Sequence, residues 1–289
     1  MIAETGQRVM KLKDKDKGID INQSDFQKLS IQISLNGLSF CILDAIENEI
    51  TSLQHFQFET VTNPLQLEVA IINVLNTHKD LFDQPFQEVI ISYINTLSTF
   101  VPKPLFSDKN LSDYLKYNNK ILSNDYITFD VVTNNDMVNV YIPYVNINNL
   151  FFDKYGVFTY KHFATILLEN IFQLSENSQE ATIFVHIQKD QFEIIVIKNK
   201  KLLFYNSFEY VTPEDYIYYL LFTIEQLELN TNELQLYFLG EVSKEDTLYT
   251  ITYTYVRNVS FVNKKYPFTF HESVRKPNSH KDFTLLTNF

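Results

Sequence analysis

Glycine is so scarce in this chain that few segments could hold a phosphate group. The 289 residues include five glycines, where average usage of about 7% would give roughly twenty. Phosphate-binding loops need several glycines close together, because the backbone N–H groups must approach the phosphate. No two of these glycines have the spacing of GxGxxG, a P-loop or GxSxG. Loops of those kinds are therefore excluded.

Three segments still place a glycine or a carboxylate in a predicted turn. Asn36-Gly37 follows an alternating apolar strand and is typical of a two-residue hairpin turn of type I′. Asp190 lies in the polar turn 188–191, between two apolar runs. Gly240 follows a third apolar run and precedes a helix, where glycine supplies a permissive backbone angle. Turn formation alone explains each of these residues, so no catalytic residue is predicted.

The sequence also predicts no metal site. The six histidines show none of the ligand spacings, such as HxH or HExxH. His186 alternates with apolar residues on a predicted strand, so it faces either solvent or a neighbouring strand. Asp14, Asp16, Asp20 and Gly18 faintly resemble a calcium loop, but no Glu stands at its twelfth position and lysines are interleaved. We expect a solvated tail there.

Cysteine usage and apolar runs indicate the compartment. Cys41 is the only cysteine and lies in the apolar run 38–43, which predicts a buried, unreactive thiol; a nucleophile would need a base beside it. The polar N-terminus has no apolar run typical of a signal peptide. The longest apolar stretch, 216–224, is too short to span a bilayer. These features predict a reduced, cytoplasmic protein without membrane insertion.

Charge and composition narrow the possible partners. The formal net charge is −11, which repels nucleic-acid phosphates and anionic lipids. Hydrophobic residues make up 45% of the chain, with 25 Phe and 18 Tyr, enough for a large core. Nucleic acid is therefore not the expected partner, and another protein is.

The two halves of the chain show an internal duplication. Residues 58–64 share Phe, Glu, Val and Thr in the same order, and a following proline, with residues 208–213. Three strands are predicted before each copy of this motif, and a helix and an apolar strand after it. Pro64 and Pro213 suit the first helical position, behind Asn63 and Thr212 as N-caps. The predicted elements of the first copy are strands 31–35, 38–43 and 50–58, helix 65–77 and strand 88–94; those of the second are strands 183–187, 192–197 and 201–208, helix 214–227 and strand 234–239.

A second helix and a fifth strand are expected to complete each copy. In the first copy these are helix 107–117 and strand 126–132. In the second, apolar spacing over 248–259 favours a helix, although its Thr/Tyr-rich composition also suits a strand, and residues 258–262 form the fifth strand. An amphipathic helix over 163–172 is expected to connect the copies.

An aromatic cluster on the predicted helix 214–227 has two interpretations. Tyr216, Tyr218, Tyr219 and Phe222 are typical of a core-facing helix. Rings that remain exposed would instead indicate a protein–protein surface, since Tyr and Phe are enriched at interface cores.

This order of elements resembles the duplicated ribonuclease-H-like core of the actin-like ATPase superfamily over about residues 29–262. It implies an α/β fold with mixed sheets, two βββαβαβ copies and an actin-like two-lobed architecture. Residues 160–162 (Tyr-Lys-His) and the stretch 280–286 (His-Lys-Asp-Phe-Thr-Leu-Leu) are also similar to an uncharacterised Bacteroidetes family with that fold. The expected divisions are a polar tail (1–25), a first lobe (26–155), a second lobe with the connecting helix (156–265) and a C-terminal tail that packs back on the core (266–289).

The resemblance implies where a nucleotide would bind. Superfamily members place an acidic residue and glycines in the first hairpin, glycines in a second phosphate loop, and a glycine pair at the adenosine. The matching positions here are Asn36 and Gly37, Asp190, and Gly240, with most of the glycines and the first carboxylate missing. These residues would form a vestigial nucleotide site.

Three hypotheses follow from this match. The first is an actin-like pseudo-ATPase, with no cofactor, that acts as a cytoplasmic binding or scaffold protein. The second is a divergent ATPase or sugar-kinase-like enzyme with Mg-ATP in the cleft between the lobes. The third is that the copies pack as separate α+β modules without a cleft.

Overall fold

The computed structural model of the protein describes residues 26–59, 61–133, 135–175 and 180–289. The predicted N-terminal tail, with its calcium-like aspartates, lies outside these residues. The chain divides into two compact units. Of the described residues, those up to 166, with 266–276 and 284–289, form the first unit, and those from 167 to 265, with 277–283, form the second.

The helices and strands follow one another in the order expected from a duplication. Those up to residue 174 are β1 (Gln27–Ser34), β2 (Gly37–Asp44), β3 (Glu49–Gln57), α1 (Pro64–Thr77), α2 (Lys79–Phe82), β4 (Glu88–Tyr93), β5 (Ser98–Pro102), α3 (Leu111–Leu115), β6 (Thr128–Val131), β7 (Met137–Tyr141), α4 (Val145–Tyr155), β8 (Thr159–His162) and α5 (Phe163–Leu174). Those that follow are β9 (Thr182–Ile187), β10 (Gln191–Lys198), β11 (Lys201–Glu209), α6 (Pro213–Gln226), β12 (Gln235–Gly240), α7 (Thr247–Tyr255), β13 (Asn258–Phe261), β14 (Thr269–Phe270) and α8 (Phe283–Leu286).

The main sheet of the first unit has the strand order β14-β3-β2-β1-β4-β8. β1, β2 and β3 are antiparallel neighbours, whereas β4 runs parallel to β1 and β8 parallel to β4. The buried side chains of β1, β2 and β4 form one core with α1 and α4. The three predicted strands, the helix and the fourth strand of the first copy are confirmed.

A short helix and a strand do lie within the ranges predicted for the second helix and fifth strand of the first copy, but the expectation that they complete that copy is wrong. Residues 107–117 contain a short 3₁₀ turn and the five-residue α3, and residues 126–132 contain β6, which pairs with β7 in a separate sheet ordered β5-β7-β6. The helix and strand that complete the main sheet are α4 and β8 instead. The inserted sheet has a helix and strands of its own, so local pattern could not tell which strand pairs with β4. The folded structure shows that β8 is the strand that pairs with β4, since Ile90 lies opposite Thr159.

The second unit repeats the same plan in a five-stranded sheet. Its order is β11-β10-β9-β12-β13, with antiparallel hairpins over β9 to β11 and parallel pairing of β12 with β9 and β13. Its core lies between this sheet and the helices α6 and α7. The composition of 248–259 left helix or strand open, and the structure shows the helix α7 up to Tyr255, with β13 beginning at Asn258. The predicted connecting helix is confirmed as α5.

The matched helix starts in the two copies share one mechanism. The Asn63 side chain accepts hydrogen bonds from the N–H groups of Leu65 and Gln66. Thr212 accepts from the N–H of Asp215, whose carboxylate in turn accepts from the Thr212 N–H, which forms a capping box. Proline follows the cap in both helices. The duplicated Thr/Asn-Pro pattern therefore positions the same helix in both units.

The C-terminal segment adds to the sheet edge of the first unit. β14 pairs in parallel with the start of β3, at Glu49 and Ile50. Cys41 and Leu285 belong to a small buried cluster beside this edge, and the Ser30 hydroxyl donates to the Leu285 carbonyl at 3.1 Å. The third strand of the first copy therefore has a neighbour on each side over part of its length.

Candidate functional site

The first candidate turn lies between β1 and β2. Ser34 pairs with Gly37, so the two turn residues are Leu35 and Asn36. Neither they nor Gly37 are among the described residues with positive φ, whereas a type I′ turn needs positive φ at both central positions. The hairpin is confirmed, but its predicted turn type and the assignment of Gly37 to the turn are wrong.

Gly37 is required by a neighbouring strand. A Cβ atom at this position would overlap the carbonyl oxygen of Phe56 on β3, and it would lie 3.5 Å from the Cα of Gln57. The turn is also closed by its own hydrogen bonds. The Asn36 N–H donates to the Ser34 hydroxyl at 3.1 Å, and the Asn36 carbonyl accepts from the Phe58 N–H at 2.8 Å. The geometry that needs glycine here is close backbone packing.

The second candidate turn lies between β9 and β10 and contains Asp190. The N–H of Gln188 donates to the carbonyl of Gln191 at 2.9 Å, and the Gln188 carbonyl accepts from the Tyr210 hydroxyl at 2.8 Å. The Asp190 carbonyl accepts from the N–H of Tyr210 at 3.1 Å. Asp190 itself is exposed. Burial first, and then the charge of Asp190, raises the pKa of the Tyr210 hydroxyl.

Gly240 ends β12 beside the end of β9. Its φ is +80°, and a Cβ atom there would overlap the carbonyl oxygen of Ile187 and lie 3.0 Å from its nitrogen. The Gly240 N–H donates to the His280 carbonyl, and the Glu241 N–H donates to the Ile187 carbonyl, both at 2.8 Å. Only glycine fits this combination of left-handed backbone and close strand packing.

The four expected nucleotide-binding residues lie in two places. Asn36 and Gly37 are adjacent in the first unit. Asp190 and Gly240 are at one end of the second sheet, because Ile187, just before the Asp190 turn, pairs directly with Gly240. Each pair is thus at the carboxyl end of parallel strands, where open α/β sheets commonly bind ligands.

A buried carboxylate beside the second turn was not predicted. Glu193 on β10 is fully buried, and its Oε2 lies 2.9 Å from Nδ1 of His186 on β9. The Gln188 amide also donates to Glu193, at 3.2 Å, and the Ser207 hydroxyl donates at 3.4 Å. His186 therefore faces a neighbouring strand, one of the two orientations left open. An acidic residue inside the apolar run 192–197 was the sequence signal for this cluster.

A second buried carboxylate, also not predicted, lies in the first unit. Asp130 on β6 accepts hydrogen bonds from the Tyr141 hydroxyl, the Thr165 hydroxyl and the His162 N–H, at 3.0, 2.8 and 2.9 Å. Burial raises the pKa of the Asp130 carboxyl to about 6, although these three donors oppose the shift. Asn139 extends the network by donating to Thr165 at 3.0 Å. The cluster joins the inserted sheet to β8 and α5.

His162 belongs to the same region and is fully buried. Its Nε2 lies 3.1 Å from the Asn95 carbonyl, and its Nδ1 accepts from the Ala164 N–H at 3.2 Å. One donating and one accepting nitrogen describe a neutral imidazole. Burial lowers the pKa of His162 to about 3, with the bond to Asn95 opposing that shift. Both ring nitrogens of His162 are therefore occupied by hydrogen bonds to the backbone, so neither is available to bind a metal ion or to accept a proton from a substrate.

Within the described residues, no group of three or more His, Cys, Asp or Glu side chains is arranged to hold a metal ion. Cys41 is buried as expected, and its Sγ lies 3.7 Å from the Leu285 carbonyl oxygen. Over the same part of the chain, none of the helices is both long enough and apolar enough to cross a bilayer.

The strand order within each main sheet, repeated in the two units, defines a class of protein, the actin-like ATPase fold. A crystal structure from Bacteroides thetaiotaomicron, described as a protein with actin-like ATPase fold and unknown function, is 25% identical in sequence. It covers 86% of this chain and 95% of its own, with a TM-score of 0.76. The PilM–PilN type IV pilus biogenesis complex has the same fold at 13% identity, covering 90% of this chain and 97% of its own, with a TM-score of 0.59.

The sequence also assigns the chain to a family. Residues 16–259 match the model of the DUF3822 family, described as a protein of unknown function, and the chain belongs to that family. A comparison with curated proteins finds no match. The predicted fold and the resemblance to a Bacteroidetes family with this fold are therefore confirmed.

Proposed function

We propose that this actin-like protein has lost ATP hydrolysis and acts as a binding or scaffold protein for another protein. The observation that carries the proposal is that, in both turns where phosphate would bind, a backbone N–H group is already used in a hydrogen bond within the turn. The N–H groups of Asn36 and Gln188 donate to acceptors inside their own turns. Phosphate binding by backbone N–H groups would have to break those bonds.

The two glycines at the candidate site support the same proposal. Gly37 and Gly240 are explained by the close approach of Phe56 and Ile187, so their presence requires no nucleotide. A magnesium ion would need carboxylate or other oxygen atoms of the protein, which hold it directly or through its bound water molecules. The first turn offers none from Asp or Glu, and the second offers only the exposed Asp190 within residues 187–192.

A protein partner agrees with the charge and with a structural relative. A net charge of −11 disfavours nucleic acid. PilM, which has the same fold, forms a complex with PilN, and this supports the proposal that this chain also acts on another protein. The single cysteine cannot form an internal disulfide, which agrees with our proposal of a cytoplasmic location.

One observation favours the alternative, a divergent ATPase or sugar-kinase-like enzyme that uses Mg-ATP. Asp190 and Gly240 lie at the same end of the second sheet, and Asn36 and Gly37 end a corresponding hairpin of the first. In this reading each pair still contacts part of a nucleotide, and Asp190 orients the hydrated magnesium ion.

A thermal-shift titration distinguishes the two functions. Because a ligand that binds only the folded state raises the melting temperature by mass action, Mg-ATP at about 100 times its Kd would add about 2.7 kcal/mol of stability. We expect no shift at millimolar Mg-ATP and no phosphate release. Hydrolysis that is lost in Asp190→Asn but kept in Asp113→Asn, a change at an exposed carboxylate of the inserted region, would refute the proposal.

A further inference from the structure

The third strand of the second unit ends its sheet without a partner strand on its outer side. β11 is nine residues long and pairs only with β10 among the described strands. The corresponding strand of the first unit, β3, gains a neighbour from β14. A long strand with an open edge is a template for pairing with another chain, and proteins usually shorten or cover such edges. The duplication thus leaves one of two equivalent edges open.

An aromatic band runs from this edge onto the outer face of α6. Phe208 on β11 stacks on Tyr219, with ring centroids 4.7 Å apart. Tyr219 contacts Tyr218 edge-on, and Tyr218 stacks on Phe222 at 6.1 Å. Tyr218 is 62% exposed and Phe222 is 48% exposed. Exposed Tyr and Phe in a continuous band are typical of an interface core, the second of the two interpretations of this cluster.

The charges on β11 are divided between its two ends. Lys198, Lys200 and Lys201 are exposed where the strand begins, and Glu209 and Glu214 are exposed where it ends and α6 starts. A second β11 running antiparallel would bring the basic end of each strand to the acidic end of the other. A parallel arrangement would place like charges together, which is unfavourable.

We propose that the outer edge of β11 pairs antiparallel with β11 of a second copy of this chain, about a two-fold axis near Asn206. This axis puts Phe204 of one copy opposite Phe208 of the other. Both side chains pack on the α6 side of the sheet, and aromatic cross-strand pairs stabilise such ladders.

The same symmetry brings the two aromatic helices together. A two-fold axis perpendicular to the sheet keeps both α6 helices on one face, so the exposed rings of Tyr218 and Phe222 meet their counterparts. The two sheets become one sheet of ten strands. An interface of this kind combines backbone hydrogen bonds with a buried aromatic centre, and it is the same patch on both copies, as two-fold symmetry requires. It is independent of whether the protein binds a nucleotide.

Sedimentation equilibrium of the full chain from about 1 to 100 μM, the range that detects micromolar association, tests this surface. We expect a reversible dimer. The variant Lys200→Glu/Lys201→Glu reverses the net charge of the basic end, and Glu209→Lys neutralises the acidic end because Glu214 remains, so each alone should raise the dimer Kd by about tenfold, as expected when favourable cross-strand charge pairs are lost or become repulsive. An equimolar mixture of the two should associate more tightly, as a heterodimer, than either variant alone, because one of the two favourable charge pairings is restored.

Two further variants complete the experiment. Tyr218→Ser/Phe222→Ser changes exposed side chains and should weaken the dimer without lowering secondary structure by circular dichroism. Lys109→Glu, at an exposed lysine of the inserted region, should leave the dimer unchanged. A wild-type chain that stays monomeric at the highest concentration overturns the proposal. A dimer that the charge reversals and the aromatic change leave intact overturns it as well.

Discussion

Gly37 and Gly240 are required by close packing against neighbouring strands, although the sequence pattern assigns both to turns. Gly240 combines a φ of +80° with a neighbouring strand that leaves no room for a Cβ atom. Gly156 has a similar φ of +73°, but no atom lies within 4 Å of the position that a Cβ would take. The two residues therefore separate the cost of a left-handed backbone from the cost of steric overlap.

Alanine substitution should show this difference. Gly156→Ala should lower the free energy of unfolding by about 1–3 kcal/mol, the cost of holding a residue with a Cβ in a sparsely populated backbone region at positive φ. Gly240→Ala should cost more than about 4 kcal/mol, in the range of exceptional single substitutions, because the backbone of Ile187 must also move. Urea denaturation measures both values. Equal losses in the two variants would mean that β9 and β12 are not as close as the structure places them.

The inserted sheet is held to β8 and α5 by buried groups whose pKa values shift in opposite senses. Asp130 has a folded-state pKa near 6, above its ordinary value of 3.8, so it favours folding at low pH and loses that contribution as pH rises through 6. His162 has a pKa near 3, below its ordinary 6.5, so its contribution is present above 6.5 and is lost as pH falls towards 3. Between about pH 4 and 6 the two effects oppose each other.

Removing either group should therefore leave the pH dependence of stability that the other one causes. In Asp130→Asn, the free energy of unfolding should fall more steeply than in wild type as pH drops from 6 to 4, by up to about 1.4 kcal/mol per pH unit. In His162→Gln, it should instead rise over that range relative to wild type. Tyr141→Phe removes a donor to the carboxylate and should move the Asp130 transition to higher pH. Three variants with the same pH slope as wild type would contradict this account.

At the scale of elements, helix starts were predictable and strand partners were not. Asn63-Pro64 and Thr212-Pro213 encode their helix ends locally, since the cap and its N–H donors are within a few residues. β8 could not be recognised as the partner of β4, because the 65 intervening residues include two helices and three strands. The buried Asp130 and Glu193 were missed for a similar reason: their donors come from other strands and from α5.

The whole molecule has two units built on one repeated plan, and its charge is strongly negative. Each unit buries its own core, one centred on β1, β2 and β4 and the other on β9, β10 and β12. A net charge of −11 repels polyanions. Because the net charge is a property of the whole chain, its effect on nucleic-acid binding can be tested without knowing where a partner binds.

We expect no binding of nucleic acid. Fluorescence anisotropy of a labelled duplex and of a labelled single strand should remain constant up to micromolar protein, even at about 50 mM salt, where phosphate contacts are strongest. Binding that weakens steeply as salt is raised would show a basic patch that overrides the net charge.

The sequence by itself determined the duplication, the helix starts and most strands of both sheets, because periodicity and capping depend on residues close together along the chain. It also determined how little glycine and carboxylate the two candidate turns contain. Only the tertiary structure decided that β8 completes the first sheet, that Gly37 and Gly240 contact neighbouring strands, and that Asp130 and Glu193 are buried among hydrogen-bond donors. Those features depend on which distant segments meet, and that is set by packing and register over the whole fold.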